Sequence, residues 1–219
     1  ARDSVAQANA CGDSMKHWVF IACLFLSHAA YASGQERFAL VIGANIGEPG
    51  DEPLRFAEQD ASKMAKILSR FASVSEENLL LLQGRSAHRV EAAFKALSKR
   101  IQAAKDANNE TLLFVYFSGH ADVTAMHLGT SRLAFEKLTG LLEEAGATLK
   151  VLVVDACRSG ELTRVKGARP VEPFKIVSTE RLKSAGNAII TSSAAGEDAQ
   201  ESDRLGGGIF SPHFMMGLK

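Results

Sequence analysis

Thr111–His120 (TLLFVYFSGH) and Val151–Gly160 (VLVVDACRSG) decide how this chain is read. Each is a short run of apolar residues that stops abruptly in small and polar ones. Such a run, bounded by Gly and Ser, is a buried strand rather than a helix segment. The apolar residues stand at successive positions, not alternate ones, so both faces of each strand must be covered.

The same reading holds for Phe38–Ile42 (FALVI), Leu79–Leu82 and Ala188–Thr191, and a small strand is predicted around Ala125–Leu128. Between the strands, apolar residues recur at helical spacing. One set is Leu54, Ala57, Ala61, Met64, Ala65 and Leu68. A second is Val90, Ala93, Phe94, Leu97 and Ile101, behind Ser86 as N-cap. A third is Leu138, Leu141, Leu142 and Ala145. Strands alternating with helices predict an α/β fold, a mostly parallel β-sheet flanked by helices on both faces. Ligands of such sheets bind beyond the carboxyl ends of the strands, so function is sought in the residues that follow each strand.

Composition agrees. The 219 residues are 46% hydrophobic and 23% charged, which suits one globular domain and excludes a disordered tail, a collagen or a multi-span membrane protein. Lys+Arg and Asp+Glu both number 25, so no nucleic-acid or anionic-membrane partner is expected.

Met15–Ala32 has a short basic start (Lys16, His17), the apolar run Trp18–Leu26 and an A-x-A ending at Ala30 and Ala32. It reads as a signal peptide cut after Ala32, too short for a stable membrane anchor, and implies a secreted or periplasmic protein. Residues 1–14 show no apolar period and read as a segment upstream of the fold, which leaves 33–219 as the domain. Of the three cysteines only Cys157 lies beyond residue 32, so it is either a small buried hydrophobe or a free reactive thiol.

The strand ends carry the chemistry. Ser118-Gly119-His120 follows one strand and Asp155-Ala156-Cys157-Arg158-Ser159-Gly160 follows another. If the two strands are neighbours, imidazole and thiol face each other at the sheet edge. The imidazole can then hold the thiol proton while the thiolate attacks a carbonyl. The N–H groups of Gly119 and Cys157 are candidate oxyanion donors. His88, His127 and His213 lack such a frame and read as surface or core residues. A phosphoacceptor role for Asp155 would need an acidic pair after the first strand, and Gly43-Ala44-Asn45 supplies none. GANIG (43–47) lacks the spacing of a dinucleotide-binding loop.

FALVIGAN (38–45), YFSGH (116–120), VVDACRSG (153–160), TSSAA (191–195) and GGIFS (207–211) occur in this order. The set resembles the caspase-like cysteine peptidases, and within them the bacterial metacaspase-like branch, over about residues 36–218. The resemblance implies an endopeptidase acting on peptide or protein substrates, with His120 as general base and Cys157 as nucleophile. It implies cleavage after Arg or Lys, with Asp155, Asp60 and Ser118 in the substrate pocket, and no cofactor. It also implies a six-stranded sheet whose last part would lie past Lys219. Some metacaspases need calcium. Here the stretch between the two strands offers only Asp122, Glu136, Glu143 and Glu144, three of them on or beside a predicted helix, so no metal site is expected. The alternative is an idle caspase-like domain that serves as a binding module. The long segment 158–183 holds seven basic residues, and Arg164, Lys166 and Arg169 are candidate self-cleavage sites.

Overall fold

The computed structural model describes residues 34–156, 186–192, 201–202 and 207–218. They lie within one compact unit, Gly34–Lys219. The leader reading, Cys157 and segment 158–183 fall outside the described residues.

Five parallel strands form the central sheet: β1 (Gln35–Gly43), β2 (Leu79–Gln83), β3 (Glu110–Ser118), β6 (Leu149–Asp155) and β7 (Gly186–Thr191), in the order β2-β1-β3-β6-β7. A strand alternates its side chains between two faces. Phe38, Leu40 and Ile42 of β1, Leu113, Val115 and Phe117 of β3, and Leu152 and Val154 of β6 therefore point one way. That face is covered by α2 (Ala87–Asp106), α3 (Phe135–Glu144) and the hairpin β4 (Ala125–Leu128) and β5 (Ser131–Ala134). Ala39 and Val41, Phe114 and Tyr116, and Val153 point the other way, under α1 (Ala57–Phe71) and α4 (Phe210–Gly217). These two cores account for the continuous apolar runs in the sequence. A short antiparallel pair, β8 (Glu201–Ser202) and β9 (Gly207–Gly208), precedes α4.

Three details differ from the sequence reading. Leu54 stands before α1, not in it. Asn45, just past β1, accepts the Glu58 N–H (3.0 Å) through its side chain, and its own N–H donates to the Glu58 carboxylate (3.3 Å), which sets the start of that helix. Ser86 does occupy the N-cap of α2, but its side chain makes no cap bond, and the Ala87 N–H donates to Ser131 Oγ instead (2.9 Å). The strand predicted at Ala125–Leu128 has a partner the periodicity missed, reached through Gly129 at φ +65°, as a two-residue hairpin turn requires.

Candidate active site

β1, β3 and β6 end side by side. Ser118 and Asp155 are Cα partners on the last rung between β3 and β6. His120 therefore stands two residues past one strand of this pair, and Cys157 follows the other by the same count in sequence. Ala156, the last described residue before Cys157, is buried, and its N–H donates to Ser192 Oγ beyond β7 (3.2 Å).

His120 is half-buried. Its Nε2 lies 2.7 Å from the carbonyl oxygen of Glu52, in the loop that follows β1. A carbonyl only accepts, so Nε2 carries the proton, and Nδ1 of the neutral ring is left as the basic nitrogen. No local signal in the sequence marks the Glu52 carbonyl.

The expected oxyanion donor is corrected. The Gly119 N–H donates to the Asp155 carbonyl across the strand ends (3.2 Å). It is one of the bonds that hold β3 to β6, so it is not available to a substrate. A Cβ at Gly119 would lie 2.7 Å from the Phe117 ring and 3.1 Å from the Ala44 carbonyl, so glycine serves close packing here. On the other side of His120, the Ala121 N–H has no acceptor among the described residues.

The structure does bring Asp60, Ser118 and Asp155 together. Side chains of Ser118 and Asp155 share the face of Tyr116 and Val153, the face that α1 covers, and Asp60 is on α1. All three are buried, Asp60 to 1% exposure. The Asp60 carboxylate accepts the Gly208 N–H (2.8 Å) and pairs with Lys63 (3.3 Å). Asp155 accepts the Ser211 hydroxyl, and Ser211 in turn accepts the Tyr116 hydroxyl. A Cβ built on Gly208 would lie 3.0 Å from Asp155 Oδ2 and 3.6 Å from Asp60 Oδ2, so both carboxylates converge on this glycine. Burial pushes the Asp155 carboxyl up, and the Asp60 charge adds to this against hydrogen bonds from Ser211 and Ser192. Burial also raises the Tyr116 hydroxyl, as do the neighbouring Asp155 and Asp60 charges. Two buried carboxylates in one place favour a cation between them. The sequence does not by itself assign Tyr116, Ser192, Gly208 and Ser211 to this cluster. The last three lie in TSSAA and GGIFS, where the motif itself was the available signal.

His127 is not a bystander either. It is buried, with Nδ1 2.7 Å from Asp51 Oδ2 and Nε2 3.3 Å from Asp122 Oδ2. Arg132 ties Asp122 to Glu48. The Asp122 carboxyl is held well below the usual range: hydrogen bonds from Thr124, Ala125 and His127 outweigh burial, which alone would raise it. His88 and His213 are exposed, as read.

The cavity of about 400 Å³ between Glu36, Phe38, Glu77 and Arg100 opens at the opposite, amino-terminal edge of the sheet and does not border these residues. Among the described residues, no group of three or more His, Cys, Asp or Glu side chains is arranged to hold a metal ion, and no helix is long and apolar enough to cross a membrane.

Comparison with solved structures finds the same architecture in the crystal structure of caspase-1 from Spodoptera frugiperda. The match has a TM-score of 0.59 at 11% identity and covers 86% of this chain and 71% of that one. No curated protein matches. Residues 36–219 match the family model for the caspase domain, and the chain therefore belongs to the caspase-like cysteine peptidase family.

Proposed function

We propose that the protein is a cysteine endopeptidase that cuts after Arg or Lys, with Cys157 as nucleophile and His120 as base. The observation that carries this is the His120 imidazole, its Nε2–H held by the Glu52 carbonyl, beside the strand that leads to Cys157. In this mechanism His120 Nδ1 takes the thiol proton and the thiolate attacks the scissile carbonyl. The Ala121 N–H, together with the Cys157 N–H expected from the sequence, would donate to the resulting oxyanion. The C–N bond then breaks as His120 returns the proton to the leaving amine. Water, deprotonated by the same imidazole, hydrolyses the thioester and restores the thiol.

The paired carboxylates Asp60 and Asp155 support the basic specificity. A guanidinium or ammonium reaching them would replace hydrogen bonds now made by Gly208 and Ser211 and add a positive charge beside Asp155, where Lys63 already pairs with Asp60. The leader reading adds that the enzyme works outside the cytoplasm, with a mature N-terminus at or near Ser33.

Digestion of a mixed peptide library tests the proposal. The wild type is expected to cut after Arg and Lys. Cys157→Ala and His120→Ala are each expected to lower turnover by about a thousandfold or more, because the two groups act as a unit. A wild type that binds peptides but cuts none would make the domain a binding module. Near-native turnover in either variant would refute the dyad.

A further inference from the structure

The loop after β1 meets His120 at the Glu52 carbonyl, and behind that contact stands a chain of contacts that begins at His127. Asp51 Oδ2 accepts two hydrogen bonds, from the Glu48 N–H (2.7 Å) and from His127 Nδ1 (2.7 Å). The Asp51 N–H donates back to the Glu48 carbonyl (2.9 Å), so the turn 48–51 is closed on itself and tied to β4. The residue after Asp51 is Glu52, whose carbonyl holds His120. His127 also touches the base from the other side, because its N–H donates to the His120 carbonyl (2.8 Å). The far side of the His127 ring is held by Asp122, which Arg132 links to Glu48 in the same turn. Gly47 leaves the room for this: a Cβ there would lie 2.1 Å from Asp51 Oδ2 and 2.9 Å from the His120 ring.

We infer that His127 and Asp51 are positioning residues, a brace that sets the Glu52 carbonyl against His120 Nε2 and so selects the imidazole tautomer with Nδ1 free. Neither needs to touch substrate. Burial would raise the Asp51 carboxyl, but the hydrogen bonds from His127 and Glu48 and the nearby His120 and His127 rings hold it below its ordinary value, as expected of a carboxylate anchored between the two histidines. The carbonyl of an untied loop would not keep its place, and the ring could then turn or carry its proton on either nitrogen. This inference rests on the reading of His120 as the base.

Two readouts test it. In the full chain, His127→Leu and Asp51→Ala are expected to lower kcat about tenfold or more with KM changed less than about twofold, since substrate contacts are untouched. His127→Asn places an amide N–H where Nδ1–H stands, and Asp51→Asn keeps an oxygen at the shared acceptor position. Both are expected to recover the rate to within about threefold of the wild type. Asp51 is partly exposed, so its variants carry the test if His127→Leu does not fold. The second readout is independent of turnover: ¹⁵N imidazole spectra of histidine-labelled protein report which His120 nitrogen holds the proton. The Nε2–H form is expected in the wild type and a mixture in Asp51→Ala. Wild-type kcat and an unchanged His120 spectrum in Asp51→Ala would overturn the brace. A wild type without peptidase activity would instead overturn the reading of the site, and the spectra would still decide for or against the brace.

Discussion

Ser118 and Asp155 are partners on the last rung of the β3–β6 ladder, and both turn their side chains toward α1. This places a buried hydroxyl and a buried carboxylate next to Asp60 at the carboxyl edge of the sheet, beside the strand ends that lead to His120 and Cys157. The carboxylate cluster and the placement of His120 beside the strand that leads to Cys157 are thus two consequences of one register.

Asp155→Ala is expected to reduce kcat/KM for arginine substrates by more than about tenfold, since breaking a buried charge pair typically costs roughly 3–5 kcal/mol. Asp60→Asn is expected to act in the same direction. Hydrolysis of matched peptides with Arg, Lys or Asp before the cut measures both. A wild-type preference for Asp would sink the assignment of the pocket.

Stability is expected to fall with acid. Asp51, Asp122 and Glu143 have folded-state pKa values below their ordinary ones, 3.8 for the two aspartates and 4.5 for the glutamate. Glu143 is lowered chiefly by its hydrogen bond from Lys150 (2.7 Å). Their stabilisation is complete above the ordinary values and is lost as pH falls through the depressed ones. Asp155 has the opposite sign. Its raised value destabilises the fold above pH 3.8, and the effect is relieved as pH falls through the folded value. Urea midpoints followed from about pH 7 to about pH 2 should therefore drop below about pH 4 in the wild type, less so in Glu143→Gln. Asp155→Asn should be more stable than wild type at neutral pH while cutting arginine substrates poorly.

Gly43→Ala is expected to destabilise the fold by about 1–3 kcal/mol, an overpacking effect. The new Cβ would lie 2.7 Å from the Ala57 carbonyl oxygen and the Glu58 Cα, and 2.8 Å from the Ala61 Cβ. Two of the three are backbone atoms at the start of α1, which cannot yield as a flexible side chain can. Denaturant titration beside Gly140→Ala, whose Cβ would meet nothing within 4 Å, isolates the effect.

Self-cleavage between residues 158 and 183 is expected of an enzyme that cuts after basic residues, with Arg164, Lys166 and Arg169 as the sites. Tethering gives these bonds an effective concentration of order millimolar. Mass spectrometry of purified protein should show two fragments that are absent from Cys157→Ala. An intact chain with full activity would show that the cut is not required.

The amino-acid sequence determined the five strands of the central sheet, their order along the chain and the alternation of their side chains, because these are properties of a few adjacent residues. Apolar runs over Phe38–Ile42, Thr111–Phe117 and Val151–Val154 require cover on both faces, and two cores cover them. The frames around His120 and Cys157 were legible for the same reason: each is a contiguous motif at a strand end. Which partners meet beyond those ends was decided only by the tertiary structure. Glu52 is 68 residues from His120, Asp51 76 from His127, and Ser211 56 from Asp155. The Gly119 amide looked available in the sequence, but the neighbouring strand engages it. Hydrogen bonds across such separations leave no period and no spacing to read. They exist because parallel strands need crossovers, and the crossovers bring loops distant in sequence to one edge of one sheet.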